Sequence, residues 1–164
     1  MKNSFLVFAL LAAWAFCAAC FASELHWTVT QHTYEGLPLF TRYPVDLDYD
    51  RSKAVFPIRM TASLTLSKVT ANGLPEAAYN ASLESLDNFV VEYFENREEG
   101  QCVLVETFNG KRHFYIYIAE QADVDGFKKV LAARFAGSEI EVATFRDPNW
   151  SFIKRYAAEY LQDH

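Results

Sequence analysis

The side chains best placed for chemistry lie between Gln101 and Ala119, where two alternating runs flank Asn109-Gly110. An Asn-Gly pair in that setting makes a two-residue hairpin turn, because both residues accept a positive φ. Closing the hairpin there sets Phe108 opposite Lys111, Thr107 opposite Arg112, Glu106 opposite His113 and Val105 opposite Phe114. Continuing the count sets Leu104 opposite Tyr115, Val103 opposite Ile116 and Cys102 opposite Tyr117. A carboxylate facing an imidazole raises its pKa and can form an acid–base pair with it. The same two residues also make an ordinary cross-strand pair with no catalytic role. Tyr115 and Tyr117 share their face and offer rings on which a base or a sugar can stack, as open sheets do in RNA-binding modules.

A second grouping is Glu35, Arg42 and the run Asp147 to Trp150, a polar cluster in which Arg42 can clamp a carboxylate. Turn and capping duties account for Gly36, Pro38 and Asp147 without a ligand. The candidate ligand-binding residues are therefore Glu35, Arg42, Glu106, His113, Tyr115 and Tyr117. No residue is assigned a catalytic role, because no Gly-x-Ser-x-Gly, His-Glu-x-x-His, Walker or Rossmann pattern occurs. No cofactor is expected. Asp46, Asp48 and Asp50 alternate like the start of a calcium loop but lack its glycine and terminal glutamate, and read as a solvated acidic loop. His26 and His32 share a strand face about 20 Å apart, too far to chelate one metal. No metal is expected.

The N-terminus reads as a secretory signal. Lys2 precedes an uncharged apolar core from Phe5 to Phe16, and small residues lead to a cut after Ala22. Residues 1–22 are then the signal peptide and 23–164 a single domain. Cys17-Ala18-Ala19-Cys20 also resembles a lipobox, which would make Cys20 the lipidated first residue of a lipoprotein. A retained anchor is a third reading, since the apolar run approaches the length of a membrane span. All three place the chain outside the cytoplasm, in the periplasm, in the medium or tethered to the envelope, and membrane contact runs only through the leader or a lipidated Cys20. Cys102 then has no partner within the domain and reads as a small buried hydrophobe.

The remaining elements position those groups. Leu25 to Thr33 alternates as a half-buried strand. Tyr34-Glu35-Gly36-Leu37-Pro38 turns it into an irregular hairpin with Phe40 to Tyr43. Val55 to Leu66 has the cleanest period of two, with Phe56, Ile58, Met60, Ala62, Leu64 and Leu66 inward and Arg59, Thr61, Ser63 and Thr65 outward. A helix follows from Glu76 to Asn96 with Tyr79, Leu83, Leu86, Val90 and Tyr93 on its stripe. Beyond the hairpin, Asp123 or Asp125 caps a helix bearing Phe127, Val130, Leu131 and Phe135. Glu139 to Arg146 is a short strand, and Asp147-Pro148 opens a last helix with Asp147 as N-cap. Right-handed crossovers applied to this order give an α+β, ferredoxin-like (βαββαβ) antiparallel sheet with its helices on one face. An N-terminal β-hairpin and a C-terminal helix are added to it. Val103, Val105, Phe114, Ile116 and Ile118 belong to the face beneath the helices, and Arg59, Thr61, Glu106, His113, Tyr115 and Tyr117 to the other.

Trp27, Tyr34-Glu35-Gly36-Leu37-Pro38, Arg42, Gly73-Leu74-Pro75, the Leu83 and Leu86 helix, the Gly110 to Tyr117 strand, Asp147-Pro148-Asn149-Trp150 and Tyr156 follow one another over nearly the whole mature chain. In that order they resemble the bacterial family called domain of unknown function 695. The resemblance implies a ferredoxin-like domain, more remotely similar to acidic regulators of ribonuclease E. It implies no catalytic residue, substrate or cofactor.

The formal charge of −6 becomes −7 once Lys2 leaves with the leader, which opposes binding nucleic acid through phosphate neutralisation. Aromatics make up 16% of the chain, enough for a well-packed globule. The expected function is a non-enzymatic binding or interaction module of the bacterial cell envelope, its partner an unidentified protein or small molecule. The alternative is a small hydrolase-type enzyme built on the Glu106 and His113 face; nucleic-acid binding comes last.

Overall fold

A computed structural model describes residues 25–161. The signal peptide, its cleavage after Ala22 and the lipidation of Cys20 lie outside the described residues. The elements in chain order are β1 (Trp27–Tyr34), β2 (Leu37–Pro44), α1 (Tyr49–Val55), β3 (Ile58–Thr65), α2 (Ala77–Ser82) and α3 (Glu84–Glu95). After them come β4 (Gly100–Phe108), β5 (Lys111–Ile118), α4 (Val124–Arg134), β6 (Ile140–Arg146) and α5 (Ser151–Tyr160). The six strands form one antiparallel open sheet in the order β1-β2-β4-β5-β3-β6. Strands β4, β5, β3 and β6 with α3 and α4 are the βαββαβ unit, and the β1–β2 hairpin extends it beyond β4. The ferredoxin-like expectation, with its added hairpin and final helix, is what the chain adopts.

The turn at Asn109-Gly110 is the one expected, with φ of 45° and 79°, and Phe108 pairs with Lys111 as counted. The count fails further along. The register shifts between Cys102 and Leu104, so that Cys102 faces Ile116 and Gln101 faces Tyr117. Val103 is the extra residue of a β-bulge, and it turns to the face opposite the one assigned to it. Cys102-Val103-Leu104-Val105 is apolar throughout because both faces are covered there, so no alternation marks the phase.

Other corrections are local. The β1–β2 hairpin is regular, turning at Glu35 and Gly36 with φ of 50° and 78°. The acidic loop holds the short helix α1, capped by Asp48, whose Oδ1 accepts from the Arg51 amide at 3.0 Å. The helix expected over 76–96 breaks at Leu83. There the Ser82 hydroxyl donates to the Tyr79 carbonyl at 2.7 Å, and the Leu83 amide tightens onto the Asn80 carbonyl instead. Helix α5 begins at Ser151, after a left-handed Trp150 (φ 54°), and Pro148 stays outside it. Val130, expected on the buried stripe of α4, is 43% exposed.

Two apolar layers result. On one face Met60, Ala62, Leu64, Val105, Phe114, Ile116 and Ile118 pack against Leu86, Val90 and Phe94 of α3 and Phe127 and Leu131 of α4. On the other, Val103, Leu104 and Tyr117 pack against Trp150 and Ile153, with Tyr43, Leu47 and Phe56 alongside. Phe56 thus leaves the face that its alternation with Ile58 assigns to it.

Candidate functional site

The polar-aromatic face of β4, β5 and β3 carries Glu106, His113, Tyr115, Tyr117 and Arg59 as expected, and α5 lies across it. Tyr117 is fully buried, with Trp150 stacked on its ring at a centroid distance of 4.1 Å. Its hydroxyl donates to Asp147 Oδ2 at 2.7 Å. Tyr115 meets Phe152 at 4.6 Å. The ring faces that a base or sugar would stack on are therefore taken by the chain itself. Arg59 lies between the rings of Phe145 and Phe152, 4.8 and 4.3 Å from their centroids.

The Trp150 indole also donates to the Phe56 carbonyl at 2.8 Å. Asp147 reaches the α5 terminus with its carboxylate although the helix starts later than expected. It accepts from the Ser151 amide at 2.8 Å and the Phe152 amide at 3.0 Å. Burial acts to raise the Asp147 pKa, yet the hydrogen bonds from Tyr117, Phe152 and Ser151 outweigh it and hold the carboxyl below its ordinary 3.8.

Glu106 and His113 face each other as the hairpin requires. They are nevertheless turned to other partners. Glu106 Oε2 accepts from the Tyr156 hydroxyl at 2.5 Å, and His113 Nδ1 lies 2.8 Å from Ser63 Oγ. Burial lowers the His113 pKa from its ordinary 6.5, against the upward pull of Glu106, so the imidazole is neutral at pH 7. The shift is thus opposite to the rise expected from the carboxylate alone, because the loss of water outweighs it. Burial chiefly, and then Glu106, also raises the pKa values of Tyr115 and Tyr156. Ser63 sits mid-strand between the β5 and β6 ladders, where the backbone amides are committed to pairing and offer no oxyanion hole.

Glu35, Arg42 and Asp147 do not gather. Glu35 occupies a turn position, exposed. Asp147 caps α5 on one face, while Arg42 projects from β2 on the other, over the Trp27 ring at 5.2 Å. Adjacent positions of β2 point to opposite faces, and Thr41, beside Arg42, joins Thr30 at 2.6 Å.

Arg42 belongs instead to a cluster around Arg112 that no short motif marks. Arg112, 7% exposed, donates from Nε to Thr107 Oγ1 at 3.1 Å, from Nη1 to Asp87 Oδ2 at 2.6 Å and from Nη2 to Asn80 Oδ1 at 2.6 Å. A signal for it existed. Arg112 stands in the register of Phe114, Ile116 and Ile118, a charge on the core-facing side of a hairpin, and such a charge needs a partner.

Two open recesses meet at this cluster. One of about 220 Å³ is lined by Val29, Arg42, Asp87 and Val105. The other, about 500 Å³, is lined by Leu74, Pro75, Ala77 and Asn72. They share Phe40, Asn80, Thr107 and Arg112. Gly73, next to Leu74, closes against the Asn109-Gly110 turn, where the Gly110 amide donates to the Gly73 carbonyl at 2.8 Å. Among the described residues, no three His, Cys, Asp or Glu side chains gather as metal ligands, and no helix is long and apolar enough to cross a membrane.

The model of a family of unknown function, DUF695, matches residues 26–156. No curated protein and no solved structure matches the chain.

Proposed function

The chain belongs to the DUF695 family, whose function is unknown, and we propose from the geometry of its two sheet faces that it is a non-enzymatic binding module of the bacterial cell envelope. The observation that carries this reading is the contrast between the faces. Beneath α5, the groups suited to catalysis or stacking are engaged within the chain: Glu106 by Tyr156, Tyr117 by Trp150 and Asp147. On the opposite face, the recesses at Arg42 and Arg112 stay open, and the larger, about 500 Å³, has a volume in the range of small-molecule sites. The apolar leader from Phe5 to Phe16, following Lys2, supports a location outside the cytoplasm.

The alternative, a hydrolase using Glu106 and His113, has the Ser63–His113 contact in its favour. Against it, Glu106 is held by Tyr156 and does not orient the imidazole. A thermal-shift screen of the purified chain, run beside chromogenic ester, amide and phosphate substrates, tests both readings. The binding reading expects a saturable stabilisation that Arg42→Gln weakens, with no turnover above blank. Turnover abolished by His113→Gln would establish the hydrolase instead. Mass spectrometry of the mature N-terminus distinguishes cleavage after Ala22 from lipidation at Cys20.

A further inference from the structure

We infer that the paired recesses bind a small amphipathic monocarboxylate, its head on Arg42 and its apolar body along Phe40, Leu74 and Pro75; this rests on the binding reading above. Three observations carry it. The first is that, among the described residues, Arg42 is a cation without a counter-ion. Among the described residues its guanidinium makes no hydrogen bond or ion pair, and it lies 5.2 Å from the centroid of the Trp27 ring. Its Nε is enclosed without a partner, so the two terminal nitrogens are the donors left for the recess. An arginine fork matches a carboxylate with two parallel hydrogen bonds.

The second is the local charge. Arg42 and Arg112 contribute two positive charges and Asp87 one negative, so the lining carries one net positive charge. A carboxylate neutralises it. A phosphate dianion would overshoot and would face the Asp87 carboxylate, whose Oδ1 is buried without a partner. Arg112 itself is not the anchor, since Thr107, Asp87 and Asn80 already hold it. It orients the site instead. By donating to Asn80 Oδ1 it leaves the Asn80 amide nitrogen as the end free to donate to a bound carboxylate.

The third is the shape and chemistry of the walls. From the shared floor at Phe40 and Arg112, the larger recess continues over Leu74, Pro75 and Ala77, an apolar track leading away from the charge. On that track Thr70 donates to Asn72 Oδ1, and the Leu74 amide donates to the same oxygen. Arg112 is the one charged side chain lining that recess, so a second charge on the ligand body would meet no counter-ion along Leu74, Pro75 and Ala77.

The test is titration of the uniformly ¹⁵N-labelled full chain with octanoate, octanamide and octyl phosphate, followed by amide and side-chain shifts. Octanoate is expected to move the Asn80 side-chain amide and the Leu74 and Thr107 signals saturably. Octanamide, the same body without charge, is expected to bind about tenfold more weakly or worse. Arg42→Gln should bring the two affinities together, and Arg42→Lys should restore part of the difference. Equal binding of octanoate and octanamide, or tighter binding of octyl phosphate, would overturn the ligand class while leaving the recess a binding site. If none of the three probes shifts Asn80, Leu74 or Thr107, the class falls. If in addition no compound in the thermal-shift screen stabilises the chain in an Arg42-dependent way, the binding reading falls with it.

Discussion

The Tyr156 hydroxyl donates to Glu106 Oε2 at 2.5 Å, tying α5 to the hairpin end of β4. This contact takes the carboxylate that the sequence offers to His113. Hydrogen bonds to carboxylates contribute roughly 1.5–3 kcal/mol. Tyr156→Phe keeps the ring against Tyr115 and removes only the donor, so it should destabilise the fold by about 1.5–2 kcal/mol, the lower part of that range because the pair is half-exposed. Urea denaturation, with the slope unchanged, is the measurement.

Arg112 and Asp87 form the most enclosed ion pair among the described residues, their side chains 8% and 15% exposed. Removing one partner leaves the other charge without its counter-ion, a loss of about 3–5 kcal/mol in buried pairs. Arg112→Met should approach that cost. Asp87→Asn combined with Arg112→Met should recover part of it, because no charge is then left alone. A double-mutant cycle by chemical denaturation reads the coupling.

Gly73 has a φ of +79°, and a Cβ placed on it would lie 2.7 Å from the Asn109 Cα. The obstacle is backbone, not a side chain that can swing away. Gly73→Ala should therefore cost about 1–3 kcal/mol and loosen the loop bearing Leu74 and Pro75. Faster amide exchange at Gly110, whose N–H bonds to the Gly73 carbonyl, would report it.

His113 makes the covered face pH-sensitive below neutrality. Its pKa in the fold is depressed, mainly by burial, from 6.5. In the window between the depressed value and 6.5 the unfolded chain binds the proton and the fold does not, so stability rises with pH there. The contribution is complete above about pH 6.5 and is lost as the pH falls through the folded value. His113→Gln should flatten the stability profile over that acidic range, and imidazole titration by NMR should give a midpoint below 6.5.

Much of this fold was legible because the strongest signals were local. Asn109-Gly110 fixed the hairpin, and Ile58 to Leu66 alternated without a break, so β3, β5 and β6 followed. The phase of β4 was not legible. Cys102 to Val105 are all apolar, and a run buried on both sides carries no period from which to place a bulge. The break at Leu83 turns on one Ser82 hydroxyl competing for a carbonyl, which no propensity reveals. The candidate site divided in the same way. The Glu106–His113 pairing followed from the turn, but its partners Tyr156 and Ser63 come from distant segments. Arg42 was visible as a residue, whereas its company with Arg112, Asp87 and Asn80 exists only once β2 is laid beside β4.

The bulge at Val103 has a mechanical consequence. Within four consecutive residues β4 sends Cys102 and Val105 into the α3/α4 layer and Val103 and Leu104 into the α5 layer. One strand is thereby a rivet through both plates, and neither plate can come away while the other holds. Trp27 packs on the first layer and Trp150 in the second. Within either single-tryptophan variant, the fluorescence of the remaining ring and the far-UV circular dichroism should melt at one common temperature.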